Sequence, residues 1–563
     1  MMPKVSFPRG PRQFAALVAC LSLGACLSSD DAKRGMVGYV EGFVGGVVAD
    51  EPQAAMIGRD ILSAGGSAAD AATAVYFALS VTMPSTASLG GGGVCLVHDG
   101  REETRKKALK TVEAQFGVTE VLEFPPVTPA GAGPVGDRPT AVPGNARGFY
   151  VLHAKHGRLP WSQLVAPAEK LARFGFQVPR SLGREIATVA PALMEDLEAR
   201  RIFGRKEGGG AVAERDFLVQ VDLAGVLGVL RAKGPGPFYN GPLAREIVDA
   251  TRAAGGSLSV EDLRDYTPAW RETLKVPFGN LHAHFPPPPA SGGTALGQIW
   301  GVLVERGDFR GGDEAMRQHE LAETGMAILA DRGRWMEVTG VSTDSPEQLM
   351  SPGRIRALAT AYSPKAHTPA ASLPTPPVER PENPASTGFV VVDRDGSAVA
   401  CAVTLNNLFG TGRVARGTGI VLAAAPDTGG RGYSALTPML AINHNINQFH
   451  WGAAASGGVS ASTALAAVAA RALLAGQPLE TALAAPRVHP GGSPDKLFHE
   501  PTLPADLQQA LAAKGHVLAP TPALGLVNAI SCPDGLPDVS KTCSARQDPR
   551  GFGLAASADD KSR

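Results

Sequence analysis

The sequence predicts a layered fold, α/β or α+β, in which helices cover strands that are themselves buried on both faces. Three observations carry this reading. Residues 388–394 (GFVVVDR) and 397–403 (SAVACAV) flank a turn at Asp395-Gly396, and neither run alternates apolar with polar, as expected of strands covered above and below. Residues 67–81 (SAADAATAVYFALSV) are apolar nearly all round, which suits a helix lying against something flat. Residues 462–474 and 479–485 read as further apolar helices beyond the hairpin, so helices and strands sandwich one another.

Composition excludes several classes. The 53 Lys+Arg balance 53 Asp+Glu, which leaves no electrostatic footprint for nucleic acid. A 44% hydrophobic content is unlike a disordered acidic or basic tail. The 67 Gly and 46 Pro have no three-residue period, so they signify tight turns rather than collagen. Length alone, 563 residues, allows about three or four domains, and the layering reduces these to one unit.

At the N-terminus, Lys4, Arg9 and Arg12 precede a ten-residue apolar run, 14–23 (FAALVACLSL). That is half the roughly 20 residues needed to cross a bilayer, and it matches the apolar region of a signal peptide. Leu23-Gly24-Ala25-Cys26 resembles the lipobox of bacterial lipoproteins. The resemblance implies a signal at 1–25, a lipid on Cys26 and, with Leu27 rather than Asp next, the periplasmic side of the outer membrane. An ordinary signal cleaved nearby is the alternative. Cys95 and Cys401 sit in apolar runs and read as small buried hydrophobes. Cys532 and Cys543 flank a turn-rich segment in an oxidising compartment and are expected to form a disulfide. No cysteine or histidine cluster has metal spacing, so neither a metal nor an organic cofactor is expected.

Residues 52–64 and 67–81 read as two helices broken at Gly65-Gly66. Gly90 to Gly93 then lead into a strand, the reverse of the strand-to-helix order of a phosphate loop, so close backbone packing is the expected role. Residues 101–116 are a charged, solvated insert, and 147–350 are mostly helical, with periodic runs at 149–156, 161–174, 243–254 and 318–336. His282 and His284 alternate in a short strand and, without a third ligand nearby, read as exposed histidines. Residues 364–384 hold seven prolines and are expected to form an extended, mobile linker.

That linker runs into the buried hairpin at Ser386-Thr387. A hydroxyl there needs a base, and cutting the preceding bond would supply one as the new α-amine. Thr404-Leu405-Asn406 stands on the other strand. A three-residue turn places Thr404 opposite Ser386, a two-residue turn opposite Thr387, and Asp-Gly fits both.

Several motifs occur in order along residues 38–555: Leu62 to Ala71, Ser88-Leu89 before Gly90, Val142-Pro143-Gly144, Phe238-Tyr239-Asn240-Gly241, Pro286 to Pro289 with Ser291-Gly292-Gly293, and Ala485-Pro486-Arg487. The most specific block runs from Val392-Asp393-Arg394-Asp395-Gly396 through Thr404-Leu405-Asn406 to Phe409-Gly410-Thr411-Gly412. Through these residues the chain resembles the gamma-glutamyltranspeptidases, N-terminal-nucleophile hydrolases that cut themselves into large and small subunits. The resemblance implies an αββα sandwich with helical additions, a large-subunit region 26–385 and a small-subunit region 386–563. It implies a small-molecule amide substrate, acyl transfer to water or an amine, and no cofactor. Position by position, the family's nucleophile falls on Ser386 with Thr387 beside it, its supporting threonine on Thr404, and its oxyanion glycines on Gly457 and Gly458. Asn406 and Asp427 fall on groups that hold the substrate's ammonium.

Departures from the family pattern concern the substrate. The arginine that meets the substrate carboxylate should follow Glu123-Phe124, where this chain has Pro125-Pro126, and the family's serine pair is Ser434-Ala435. The acidic pair is Asp427 followed by Thr428. Two other readings therefore stand beside the first: a processing-defective binding or scaffold protein, and an acylase acting on a different amide.

Overall fold

The computed structural model describes residues 45–108, 119–131, 139–253, 255–337, 341–373, 386–426 and 435–557. Cys26, Asp427 and Ser434 lie outside the described residues, as does Ala385. Among the described residues, thirteen strands build the two large sheets. In chain order they are β1 (Gly45–Ala49), β2 (Gly92–His98), β3 (Thr119–Phe124), β4 (Ala269–Glu272), β5 (Leu274–Phe278), β6 (Leu281–Phe285), β7 (Ser386–Asp393), β8 (Ala398–Thr404), β9 (Thr437–Asn443), β10 (Gln448–Ser456), β11 (Leu526–Leu536), β12 (Ser544–Arg546) and β13 (Leu554–Ser557). The seven-stranded sheet runs β13-β1-β7-β8-β2-β3-β4 and the six-stranded sheet β12-β11-β10-β9-β6-β5. The predicted hairpin is β7-β8, at the centre of the first sheet.

Five helices matter for the site: α1 (Pro52–Ser63), α2 (Ala68–Thr82), α3 (Ser291–Arg306), α4 (Glu314–Trp335) and α5 (Ser460–Ala469). Ser67 and Asp70 start α2 with a reciprocal capping box, and all 15 of its residues are buried, as its uniform hydrophobicity predicts. The strands sort their side chains with period two. Val390, Val392, Ala400 and Ala402 face the second sheet, where Leu440, Phe449 and Ile530 meet them. Phe389, Val391, Val399 and Val403 face away and pack with α1 and α2. On the far side of the second sheet, Trp451, Ala453 and Ala529 share a core with Leu296 and Trp300 of α3 and Leu465 of α5.

The glycine run packs backbone against backbone, as expected. A Cβ on Gly90 would lie 2.2 Å from Val421 O, on Gly91 2.4 Å from Thr404 O, and on Gly92 2.3 Å from Pro126 N. The Cys532–Cys543 disulfide is present.

Three expectations are corrected. Cys95 and Cys401 are directly opposed on β2 and β8 and form a disulfide instead of standing as separate buried thiols. His284 is fully buried rather than exposed, because β6 is an interior strand and His444 closes over it, Nε2 to Nε2 at 2.7 Å. The start of the proline-rich stretch is docked, not loose: His367 N–H donates to Lys514 O at 2.7 Å and Ala370 N–H to Asp495 Oδ2 at 2.7 Å.

Candidate active site

The hairpin register is settled by its turn. Asp393 N–H donates to Ser397 O at 2.9 Å, Gly396 takes φ 81°, and the Asp393 carboxylate gathers the amides of Asp395 and Ser397 at 3.0 Å each. This is the three-residue turn, and it sets Thr404 opposite Ser386 and Val403 opposite Thr387. By strand parity Ser386 and Thr404 belong to the face turned towards the second sheet.

The two adjacent hydroxyls have different fates. Ser386 is half-buried at the head of β7, whereas Thr387 is fully buried. Thr387 Oγ1 donates to Asp50 Oδ2 at 2.8 Å. Asp50 lies just past β1 and also accepts from Gly388 N–H at 3.1 Å and Asn528 Nδ2 at 2.7 Å. The Asn528 amide reaches Gly388 O as well, at 2.8 Å. Burial pushes the Asp50 carboxyl above its usual range, and the three donors pull against that rise. Sequence reasoning missed this residue. An acidic pair before Pro52 looks like helix capping, and Glu51 does cap α1, accepting from Gln53 and Ala54 N–H.

Asp50 also joins β7 to the glycine pair. Ser456 Oγ lies 3.5 Å from Asp50 Oδ2, and Gly457 and Gly458 follow at once with φ 119° and 64°. Gly457 is pressed on Gly525, 2.6 Å from Gly525 Cα to an added Cβ. Gly525 is held in turn by Arg487, whose buried guanidinium donates to Gly525 O at 2.9 Å and to Asp548 at 2.6 Å. The Ala485-Pro486-Arg487 motif therefore supports the glycine segment from behind. On the other flank, Thr404 Oγ1 accepts Asn406 N–H at 2.8 Å, Asn406 has φ 63°, and its side-chain amide donates to Ala424 O at 2.8 Å.

Next to the Thr404 end of the ladder is a small pocket lined by Gly93, Val94, Pro125, Pro289, Ala290 and Leu436, with Glu123 the one charged residue among its described lining. Burial raises the Glu123 carboxyl to about 7 against the pull of Arg271, whose Nε lies 3.1 Å from it.

A family model described as Gamma-glutamyltranspeptidase matches residues 54–558. The chain belongs to the gamma-glutamyltranspeptidase family. The Glutathione hydrolase proenzyme of Pseudomonas aeruginosa is 32% identical over 419 residues, 72% of this chain and 71% of its own. The Acylase ACY 1 proenzyme of Pseudomonas sp. (strain V22) is 30% identical over 523 residues, 87% and 90% of the two chains. A crystal structure of cephalosporin acylase from Bacillus halodurans superposes with a TM-score of 0.75 over 99% of both chains at 21% identity, a likeness of fold alone. This gamma-glutamyltranspeptidase-family enzyme thus brings together Ser386, Thr387 and Thr404 and, through Asp50 and Ser456, the strand that carries Gly457 and Gly458. Asn406 sits beside them, bonded to Thr404.

Proposed function

We propose that this chain is a self-processing amidase of the N-terminal-nucleophile type that uses Ser386 on a γ-glutamyl-type amide. The observation that supports it is the pairing of Ser386 with Thr404 on the inter-sheet face while the Thr387 hydroxyl is committed to Asp50. In this reading the two sheets and their flanking helices form an αββα sandwich. Residues 26–385 are the large subunit and 386–563 the small one. Cys26 carries a lipid that anchors the enzyme on the periplasmic side of the outer membrane, after loss of 1–25.

Processing begins when Ser386 Oγ attacks the Ala385 carbonyl. The peptide C–N bond breaks as an ester C–O bond forms, and water cleaves the ester to leave a carboxylate on Ala385 and a free α-amine on Ser386. That amine, with an ordinary pKa of about 7.7–8.0, takes the Oγ proton as Oγ attacks the substrate amide. The N–H groups of Gly457 and Gly458 receive the oxyanion, where glycine lets successive amides come close. The proton passes to the leaving amine, and water or a second amine takes the acyl group from Ser386. Asn406 and Asp427 hold the substrate's ammonium, and Ser434 helps with its carboxylate. Serine in place of threonine keeps the hydroxyl and loses the methyl that restricts its rotamer.

A second reading, an acylase for a less charged amide, is favoured by one observation. The pocket beside Thr404 is mostly apolar, and Glu123 is already matched by Arg271. Release of the aniline from γ-glutamyl and plain acyl anilides separates the two. Faster release from the γ-glutamyl compound supports the first, faster release from the plain acyl compound moves the enzyme to the second, and none from either contradicts both.

A further inference from the structure

We propose that His319, Glu323 and His516 bind one divalent transition-metal ion, of which zinc is the natural probe. The donor atoms of these three buried residues all lie within 4.8 Å of one another. His319 Nδ1 is 2.8 Å from His516 Nε2, and His516 Nε2 is 3.8 Å from Glu323 Oε1. Tetrahedral zinc, with bonds of about 2.0–2.2 Å to nitrogen and oxygen, needs donors roughly 3.3–3.6 Å apart, and the observed spacings bracket that. Two neutral imidazoles and a carboxylate are a donor set that zinc uses with an open fourth position.

The surroundings orient these donors as an outer shell does. His319 Nε2–H donates to Ser363 O at 2.8 Å, which fixes the tautomer and leaves Nδ1 as a lone pair aimed into the cluster. Glu323 is held by both oxygens: His367 Nδ1–H reaches Oε1 at 2.6 Å and Thr368 N–H reaches Oε2 at 2.9 Å. The other nitrogen of His367 lies 3.1 Å from Asp495. Glu323, His367, Asp495, Lys496 and His516 line one narrow crevice beside the cluster. In the metal-free protein His516 Nε2–H can donate to His319 Nδ1. With the ion present, that proton moves to His516 Nδ1 and both lone pairs turn to the metal.

No sequence motif announces this site, because His319 and Glu323 share one face of α4 while His516 follows 197 residues after His319. If Ser386 begins a separate subunit, the ion also fastens the two subunits together. That consequence rests on the cleavage reading, and the site itself does not.

The full chain, stripped with chelator and desalted, is titrated with zinc chloride by calorimetry, and its metal content is measured after a second desalting. One equivalent should bind saturably, and His319→Gln and His516→Gln should each weaken it at least tenfold while melting like the parent in metal-free buffer. X-ray absorption on the zinc-loaded parent, which needs no variant, should show imidazole and carboxylate ligands. Absence of a saturable equivalent, equal binding by both variants, or a spectrum without imidazole would overturn the proposal.

Discussion

Thr387 Oγ1 donates to Asp50 Oδ2 at 2.8 Å, and that bond separates the roles of two adjacent hydroxyls. Thr387 is fully buried on the face of β7 turned away from the second sheet, whereas its neighbour Ser386 lies half-buried on the inter-sheet face opposite Thr404. The same carboxylate ties together β1, β7, β10 and β11 through Gly388, Ser456 and Asn528.

Asp50→Asn should therefore lower kcat more than it raises KM. The new amide faces the Gly388 and Thr387 donors, and a mismatched buried group costs about 1–3 kcal/mol, which is about 5- to 150-fold if carried into the transition state. Thr387→Val should cost stability while leaving Ser386 at the head of the processed chain. Steady-state kinetics and thermal melts check both. An Asp50→Asn enzyme with parental kcat would remove Asp50 from the site.

Gly457→Ala is expected to cut the rate about 10²- to 10³-fold, the usual loss of an oxyanion donor. The added methyl would meet Gly525 Cα at 2.6 Å in a backbone region with φ 119° that alanine avoids. Gly417→Ala, also at positive φ but with open space around its Cβ, controls for backbone strain alone. Equal losses in the two variants would count against the glycine pair.

Glu123 makes stability depend on pH. Its carboxyl titrates near 7 when folded and near the ordinary 4.5 when unfolded, because burial disfavours the charged form more than Arg271 favours it. The folded chain then holds the extra proton between those values, so this contribution to stability is greatest below about pH 4.5 and declines as pH rises to 7. Glu123→Gln should flatten that part of the melting-temperature curve. Asp393, raised to about 6 by burial, leaves a smaller decline in the same direction. An unchanged curve for the variant contradicts the assignment.

Cys95 and Cys401 lie on opposite sides of Ser386 in sequence, so their disulfide should keep a processed chain covalently joined. Denaturing gels should show one species without reductant and two with it. Two species without reductant would mean that the bond does not form in the mature enzyme.

Much of the fold was legible because it rests on local patterns. Uniform hydrophobicity marked α2 and the β7-β8 hairpin, and the glycine run announced close backbone packing, although not that its partners would be Thr404 and Val421. What was not legible depends on distant partners. Asp395-Gly396 fits two turns, and the choice became visible only with Asp393 folded back over the loop. Cys95 and Cys401 are 306 residues apart, each hidden in an apolar run. Asp50 meets Asn528 across 478 residues, a separation at which no spacing rule operates. The docked start of the proline stretch depends in the same way on Asp495 and Lys514 from beyond the hairpin.

Release of Ser386 as an N-terminal nucleophile leaves a covalent mark on the protein itself. Intact-mass analysis and N-terminal sequencing of the purified enzyme, under reducing conditions, test it most directly. A small fragment beginning Ser386-Thr387-Gly388 is expected, and it should disappear together with activity in Ser386→Ala. A fragment beginning at Thr387, or an uncleaved chain that turns over amides, would contradict it.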